Sequence, residues 1–365
     1  DRKVLRNRQL TIPPTVTNNS KIKILTMAEI PKYLDDFIFE ELGGFYQPGQ
    51  NVDVNLRNDE TANKRYIGTY FPRSLIECYF IFQDLYAHEK IKEIIDRKTE
   101  LKILDIGTGT GGNIIGLMHF LKNIKFNKPV EFLTIEGNKN AIDFQIKFFK
   151  KFNQQFQTNF KLKYANITFQ TNTLNSQLSE LLNIVNTKFD IITSFKFISE
   201  FYNSDYQNAL GLFKSFSQTL SNYLEEKGLF LLLDLVSGDY EHRNTRPFTT
   251  QIMSDELNSF VNTPSSQLSY ILPICCGFWS DGCKTQQCYI ERQFEIKHSR
   301  KQRDISKVTY RVMVRRPFAR EILANVQVKE QYQMSYNTWH PRYCRRTRII
   351  EKTNETELPN AFKLI

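Results

Sequence analysis

The stretch Ile103-Leu104-Asp105-Ile106-Gly107-Thr108-Gly109-Thr110-Gly111-Gly112 packs one carboxylate and four glycines into a single turn. Glycines at this density let a backbone bend sharply and approach a ligand closely. Read as G-x-G-x-x-G, residues Gly107, Gly109 and Gly112 would suit a dinucleotide. Read as D-x-G-x-G-x-G, residues Asp105, Gly107, Gly109 and Gly111, with Thr108 between them, suit S-adenosylmethionine (SAM). A strand-end carboxylate accepts charge from the amino-acid part of SAM, whereas it repels a pyrophosphate. Glu136 closes the next predicted strand and is placed to accept both ribose hydroxyls of either cofactor. No dehydrogenase-like catalytic His or Lys follows in an obvious position. SAM is therefore the expected cofactor, and the alternative for Asp105 is a turn-stabilising carboxylate.

Further along, Gln170-Thr171-Asn172-Thr173 follows a third predicted strand, and Asn172 is a candidate adenine contact. Ser194 to Phe201 follows the fourth, at the end expected to face the substrate, with Ser194 a cofactor candidate. An Asn/Asp-Pro-Pro-Tyr/Phe motif for amino methylation is absent there, and so is Pro-Cys for 5-methylcytosine chemistry. Lys196 and Glu200 are the polar candidates for catalysis, and Glu200 also has the position of a helix brace.

Four of the six cysteines lie between Ile274 and Tyr289: Cys275, Cys276, Cys283 and Cys288. Local clustering in a long chain suits thiolate ligation of a metal better than a disulfide scaffold. Cys276, Cys283, Cys288 and the distant Cys344 are the candidate ligands, with Cys275 competing for one place. Iron–sulfur and zinc are not separated by spacing, and buried reduced thiols are the plainer alternative. Arg342, Arg345, Arg346 and Arg348 surround Cys344 beside Trp339, His340 and Tyr343, a mixture suited to RNA phosphates and bases. Lys297, Arg300, Lys301 and Arg303 form a second basic group.

These residues need elements to hold them. Leu101 to Ile106, Val130 to Ile135, Ile167 to Gln170, Phe189 to Ser194 and Gly228 to Val236 read as strands. Helices are expected over Ile30 to Leu42, Ser74 to Ile94, Gly112 to Lys122, Asn140 to Phe152 and Ala209 to Leu224. Strands alternating with helices give a parallel sheet covered on both faces. Tyr289 to Lys297 and Lys307 to Arg315 read as a late hairpin, with Val308, Tyr310, Val312 and Val314 on one side. The expected fold is thus α/β: a Rossmann-like class I methyltransferase, with a seven-stranded, mostly parallel sheet, a late β hairpin, a helical N-terminal extension and a Cys-rich insertion. The division is 1–60, an N-terminal arm without a core of its own; 61–98, a helical lead-in; 99–262, the SAM-binding core; 263–300, the Cys-rich insertion and hairpin strand; 301–365, the last core strand and a basic C-terminal segment.

With 365 residues, 41% of them hydrophobic and 24% charged, the chain can bury a core of this size. Its formal net charge of +10 favours acidic partners, nucleic acid above all. No run approaches the ~20 apolar residues that span a bilayer. The chain opens on Asp1, so a leader removed upstream stays open.

The glycine turn, the cysteines after the fifth strand, Cys288-Tyr289-Ile290-Glu291-Arg292-Gln293 and Lys307-Val308-Thr309-Tyr310-Arg311-Val312-Met313-Val314-Arg315-Arg316 together resemble the mitochondrial ribosomal small-subunit methyltransferase-like assembly factors and their bacterial relatives. The segment with Tyr66, Tyr70, Pro72 and Arg73 is loosely similar to that family's Tyr-x-Arg-x-Pro lead-in. Its Cys-Pro-His and Cys-Pro-Leu steps are replaced here by Cys275-Cys276-Gly277-Phe278 and Cys283-Lys284. The resemblance implies a SAM-dependent enzyme acting on RNA, or an assembly factor of methyltransferase descent. It also implies Cys344 as fourth ligand of an iron–sulfur site, the ribosomal small subunit as partner, and a mitochondrial matrix or bacterial-type cytoplasmic location. The alternatives are a small-molecule or protein methyltransferase and a non-catalytic SAM-binding protein. No membrane partner or secretion is expected, and the oligomeric state is open.

Overall fold

Apolar side chains on both faces of Leu101–Ile106 demand cover on both sides of the sheet. A computed structural model of the chain describes residues 25–49, 59–235, 249–273, 292–324, 326–333 and 346–352. Its elements begin with β1 (Leu25–Glu29), α1 (Lys32–Asp36), a π-helical turn (Phe37–Glu41), α2 (Glu60–Thr69), α3 (Phe71–Tyr86) and α4 (Glu89–Arg97). The alternating part runs β2 (Leu101–Ile106), α5 (Gly112–Asn123), β3 (Val130–Glu136), α6 (Lys139–Phe156), β4 (Lys161–Asn166), α7 (Leu174–Val185), β5 (Phe189–Phe195), α8 (Ile198–Ser204), α9 (Tyr206–Ala209), α10 (Leu212–Ser221) and β6 (Leu224–Leu235). Then follow α11 (Thr249–Val261), β7 (Leu268–Leu272), β8 (Arg292–His298), β9 (Lys301–Arg315), α12 (Arg316–Ile322), β10 (Val326–Gln333) and β11 (Arg346–Lys352).

The main sheet has nine strands, in the order β1-β8-β9-β6-β5-β2-β3-β4, with β7 also on β9. The strands from β4 to β6 are parallel, and β9 runs against them. β7 pairs with the end of β9, Leu268 opposite Arg315, and β8 pairs with its beginning, Arg292 opposite Val308. Seven strand positions are therefore occupied as expected, but one is divided between β7 and β8, and β1 adds an eighth position at the edge. The cysteine-rich segment departs after β7 and returns at β8, so both its ends are anchored on a single strand.

Alternate residues face opposite layers. Ile103, Phe132, Ile191, Leu229, Leu231 and Leu233 belong to one buried cluster with α3, α5 and α6, and so do Val308, Tyr310, Val312 and Val314. Leu104, Ile106, Ile135, Ile192, Phe230 and Leu232 belong to the other, with α7, α10 and α11. Among the described residues of the N-terminal arm, Leu34, Ile38 and Phe39 join the first cluster. Helix α3 lies directly on α5: a Cβ on Gly112 would stand 2.6 Å from the Phe71 carbonyl oxygen, and one on Gly116 2.3 Å from that of Leu75. No helix among the described residues is long and apolar enough to cross a membrane.

Several sequence expectations need correction. The third core strand is β4, Lys161–Asn166, and not Ile167 to Gln170. It is the exposed edge of the sheet, with Tyr164 54% accessible, so its polar residues carry no buried-strand signal. The helix expected over Ser74 to Ile94 is two helices, α3 and α4, parted at Ala87 and His88. The one expected over Ala209 to Leu224 is broken at Gly211, whose φ is +85°. The helix expected from Ile30 to Leu42 is a short α-helix continued by a π turn.

Candidate functional site

In an open sheet of this kind, chain order reverses beside the first strand, and the crevice outside the strand ends there receives the ligand. Here β2 has β3 on one side and β5 on the other. A cavity of about 500 Å³ opens at that point. The turn after β2 gives it Gly107 and Gly109, the end of β3 gives Glu136, Gly137 and Asn138, and the segment after β4 gives Ile167 to Asn172. The segment after β5 gives Phe195, Lys196, Phe197, Glu200, Phe201, Ser204 and Asp205, while α2 contributes Tyr66.

Gly107 cannot be another residue. Its φ is +68°, and a Cβ would lie 2.3 Å from the Phe197 ring, so close approach adds to backbone conformation. Gly109, at φ +55°, faces Tyr66. Its N–H donates to Glu136 Oε2 at 2.7 Å, and Glu136 Oε1 accepts the Asn138 N–H at 2.9 Å. Burial raises the Glu136 carboxyl above the usual carboxylate range.

Asp105 is 1% exposed and is not among the cavity-lining residues. Its Oδ1 accepts from Asn113 Nδ2 at 2.7 Å and from Thr193 Oγ1 at 2.6 Å, while Oδ2 has no hydrogen-bond partner. Burial pushes this carboxyl up to about 7. Thr108, Gly111 and Ser194 also lie outside the cavity wall. The Thr108 hydroxyl donates to the Asp105 carbonyl at 3.3 Å, Gly111 starts α5 at φ +88°, and the Ser194 hydroxyl donates to the Ile106 carbonyl at 3.0 Å. Gly107, Gly109, Glu136, Asn172, Lys196 and Glu200 are the sequence candidates brought together around the cavity.

Lys196 adopts φ +59°, a conformation few non-glycine residues take, and strain of this sort clusters at functional sites. Its ammonium lies 2.6 Å from Glu77 Oε2 and donates to Ser74 Oγ at 3.2 Å. Glu77 is fully buried on α3 and also accepts from the Ser306 hydroxyl of β9 at 2.5 Å. Burial, with Glu136 and Asp234 nearby, pushes the Glu200 carboxyl up to about 8. Sequence reasoning missed Glu77 and the rings of Phe169, Phe197 and Phe201. The spacing of Phe197 and Phe201, one helical turn apart, was the available signal.

The metal candidates Cys276, Cys283, Cys288 and Cys344 lie outside the described residues, as do Cys275, Arg342 and Arg345. Among the described residues no group of His, Cys, Asp or Glu forms a metal site, and Cys78 is a buried free thiol of α3. The backbones of Arg346 and Arg348 lie on β11, opposite Gln333 and Gln331. The second basic group is not a free cationic patch. Lys297 pairs with Glu29, Arg300 with Glu40 and Arg303 with Glu295, and the Lys301 ammonium sits 6.0 Å from the Tyr46 ring centroid.

The residues present fit SAM. The cavity volume is that of a small-molecule site, Gly109 holds a φ of +55° that favours glycine, and the strand-end Glu136 and polar Asn172 both line the cavity. Its carboxylates, Glu136, Glu200 and Asp205, suit a cofactor bearing sulfonium and ammonium charge. The parallel sheet with its single antiparallel strand and this cavity defines a SAM-dependent methyltransferase. The chain belongs to the methyltransferase domain family, whose model matches residues 97–291, more than half of the sequence.

Among solved structures the chain is similar to the plantazolicin methyltransferase BpumL in complex with SAH, at 15% identity over 66% of this chain and 77% of that one, with a TM-score of 0.33. It is similar to the SAH-bound Podospora anserina methyltransferase PaMTH1, at 15% identity over 74% and 100% of the two chains and a TM-score of 0.34. A putative O-methyltransferase from Klebsiella pneumoniae matches at 12% identity over 68% and 90%, with a TM-score of 0.34. No curated protein matches the chain.

Proposed function

We propose that this methyltransferase acts on RNA, with the ribosomal small subunit as the assembly it serves. SAM would be held by the Gly107–Gly109 turn, Glu136 and Asn172, and it supplies an electrophilic methyl group. The observation that carries the RNA reading is a contrast of charge. The chain as a whole is +10, whereas Lys196 is the sole lysine or arginine among the described cavity residues and is already paired with Glu77. A basic exterior attracts a polyanion, and an acidic cavity keeps phosphate out while admitting a base. Arg342, Arg345, Arg346 and Arg348 are the residues proposed to hold phosphate. Cys276, Cys283, Cys288 and Cys344 are proposed to hold an iron–sulfur cluster or zinc beside them.

The test is RNA affinity as a function of salt. Changing Arg345, Arg346 and Arg348 to Ala should weaken binding across sequences and flatten the salt slope by about 1 per lost contact. SAM binding should be unchanged. RNA affinity that is the same in the variant, with metal content intact, would refute the arginine surface. A small-molecule or protein acceptor is the second reading. It is favoured by the pairing of Lys297, Arg300 and Arg303 with carboxylates, which offsets part of the charge of the second basic group.

A further inference from the structure

Glu200 differs from the other carboxylates around the cavity. Glu136 accepts backbone N–H groups from Gly109 and Asn138, and both oxygens of Asp205 accept from Asn208 Nδ2 at 3.0 Å. The Glu200 carboxylate lines the same cavity, yet among the described residues it accepts no hydrogen bond and makes no ion pair. It sits in the first turn of α8, where Phe197 and Phe201 line the same cavity. Phe197 contacts Phe169 edge-on with centroids 6.0 Å apart and Phe201 edge-on at 5.1 Å. Ser204 and Asp205 continue the same wall.

The charge of this wall is set from outside the cavity. Glu77, on α3, holds the Lys196 ammonium, and the left-handed backbone at Lys196 belongs to that arrangement. An acceptor bearing carboxylate or phosphate at its reacting end would find Lys196, the only cation lining the cavity among the described residues, already held by Glu77. An aliphatic hydroxyl is too weak an acid to pass its proton to a carboxyl before transfer. Nitrogen attacks through its lone pair and becomes strongly acidic as the new bond forms, so a carboxylate suffices as base.

We propose that the cavity takes its methyl acceptor as a proton-bearing nitrogen, with Glu200 removing the proton. Within the RNA reading, on which this part of the inference rests, the acceptor is a base nitrogen and not a ribose hydroxyl. The nitrogen lone pair forms the new N–CH3 bond, the S–CH3 bond breaks with its electron pair passing to sulfur, and the N–H proton passes to the Glu200 carboxylate. The raised affinity of this carboxyl for protons, about 8, matches that task near neutral pH.

The full chain is incubated with methyl-labelled SAM and total cellular RNA, and separately with spermidine and with a total protein extract. RNA is digested to nucleosides and the labelled atom is identified by mass. Label on a base nitrogen supports the proposal. So does Glu200→Gln if it lowers the transfer rate about 100-fold, keeps SAM affinity within threefold and loses the rise in rate below pH 8. Label on ribose oxygen or on carbon overturns the nitrogen inference and leaves the RNA reading standing. Label on nitrogen of spermidine or protein, with none in RNA, overturns the RNA reading and supports the nitrogen inference. Absence of label from every pool while SAM binds, or full transfer by Glu200→Gln, overturns the inference.

Discussion

Glu136 and Gly109 are joined by a 2.7 Å hydrogen bond from the Gly109 backbone N–H to the Glu136 carboxylate, so the acid that ends β3 ties down the glycine turn that follows β2. The same carboxylate is the group proposed for the ribose hydroxyls. Binding SAM would therefore exchange a bond within the turn for bonds to the cofactor, and the turn amide would become available to the ligand.

Glu136→Gln should lower SAM affinity by about 10–100-fold, the worth of a charge-assisted hydrogen bond of ~1.5–3 kcal/mol. Titration calorimetry measures it directly. Affinity retained within twofold would remove Glu136 from the cofactor site.

Helix propensity and packing make opposite forecasts for Gly116→Ala. Alanine gains ~1 kcal/mol in a helix interior. The new Cβ, however, would stand 2.3 Å from the Leu75 carbonyl oxygen and 3.1 Å from Cys78 Cβ. Backbone on a packed helix cannot yield as a flexible side chain can, and overpacking costs ~1–3 kcal/mol. The clash should win, and urea unfolding should show a net loss of up to about 2 kcal/mol. A variant more stable than the parent would mean that α3 and α5 are not in this contact.

Asp105, at about 7, and Glu200, at about 8, both lie above the ordinary carboxylate value near 4. Raised carboxyls stabilise the fold while protonated. Their contribution is complete below about pH 4 and is lost as pH climbs through 7 and 8. The thermal midpoint of the cofactor-free chain should fall between about pH 5 and pH 9. A bound sulfonium favours the ionised forms, so SAM affinity should rise over the same range. An affinity independent of pH there would show that neither carboxyl senses the cofactor.

Lys196 is 10% exposed and Glu77 is fully buried, so their ion pair is shielded from water. Lys196→Ala should cost about 3–5 kcal/mol, because it leaves a buried carboxylate without its partner. Part of that loss should return in the double variant Glu77→Gln with Lys196→Ala, read by a double-mutant cycle. Additive losses would show that the pair is not coupled.

Cysteine-to-serine changes at Cys276, Cys283, Cys288 and Cys344 should each reduce the metal content of anaerobically purified protein and expose residues 263–300 to protease, since ligation and local folding are coupled. Elemental analysis that finds no metal in the parent chain would dispose of the thiolate site.

Much of this molecule is legible in one dimension, because the information is local. Strand β2, the glycine turn and the start of α5 are adjacent in sequence, and buried parallel strands show as short runs rich in apolar residues. Strand β4 escaped because an exposed edge strand makes no such demand on its side chains, and Lys-Leu-Lys-Tyr-Ala-Asn satisfies it. Strand β1 escaped for a similar reason, since its place depends on a parallel partner, β8, more than 260 residues away.

By itself, then, the sequence determined the class of fold, and it marked the glycine turn and the strand-end acid that line the cavity, through periodicity and glycine spacing. Tertiary structure alone decided that Asp105 is withdrawn behind Asn113 and Thr193, that Lys196 is neutralised by Glu77 from α3, and that Glu200 remains unpartnered among the described residues around the cavity. Local pattern records which residues are buried or must turn. Which charges meet depends on elements such as α3 and the segment after β5, more than a hundred residues apart, being pressed together, and no spacing in the sequence encodes that encounter.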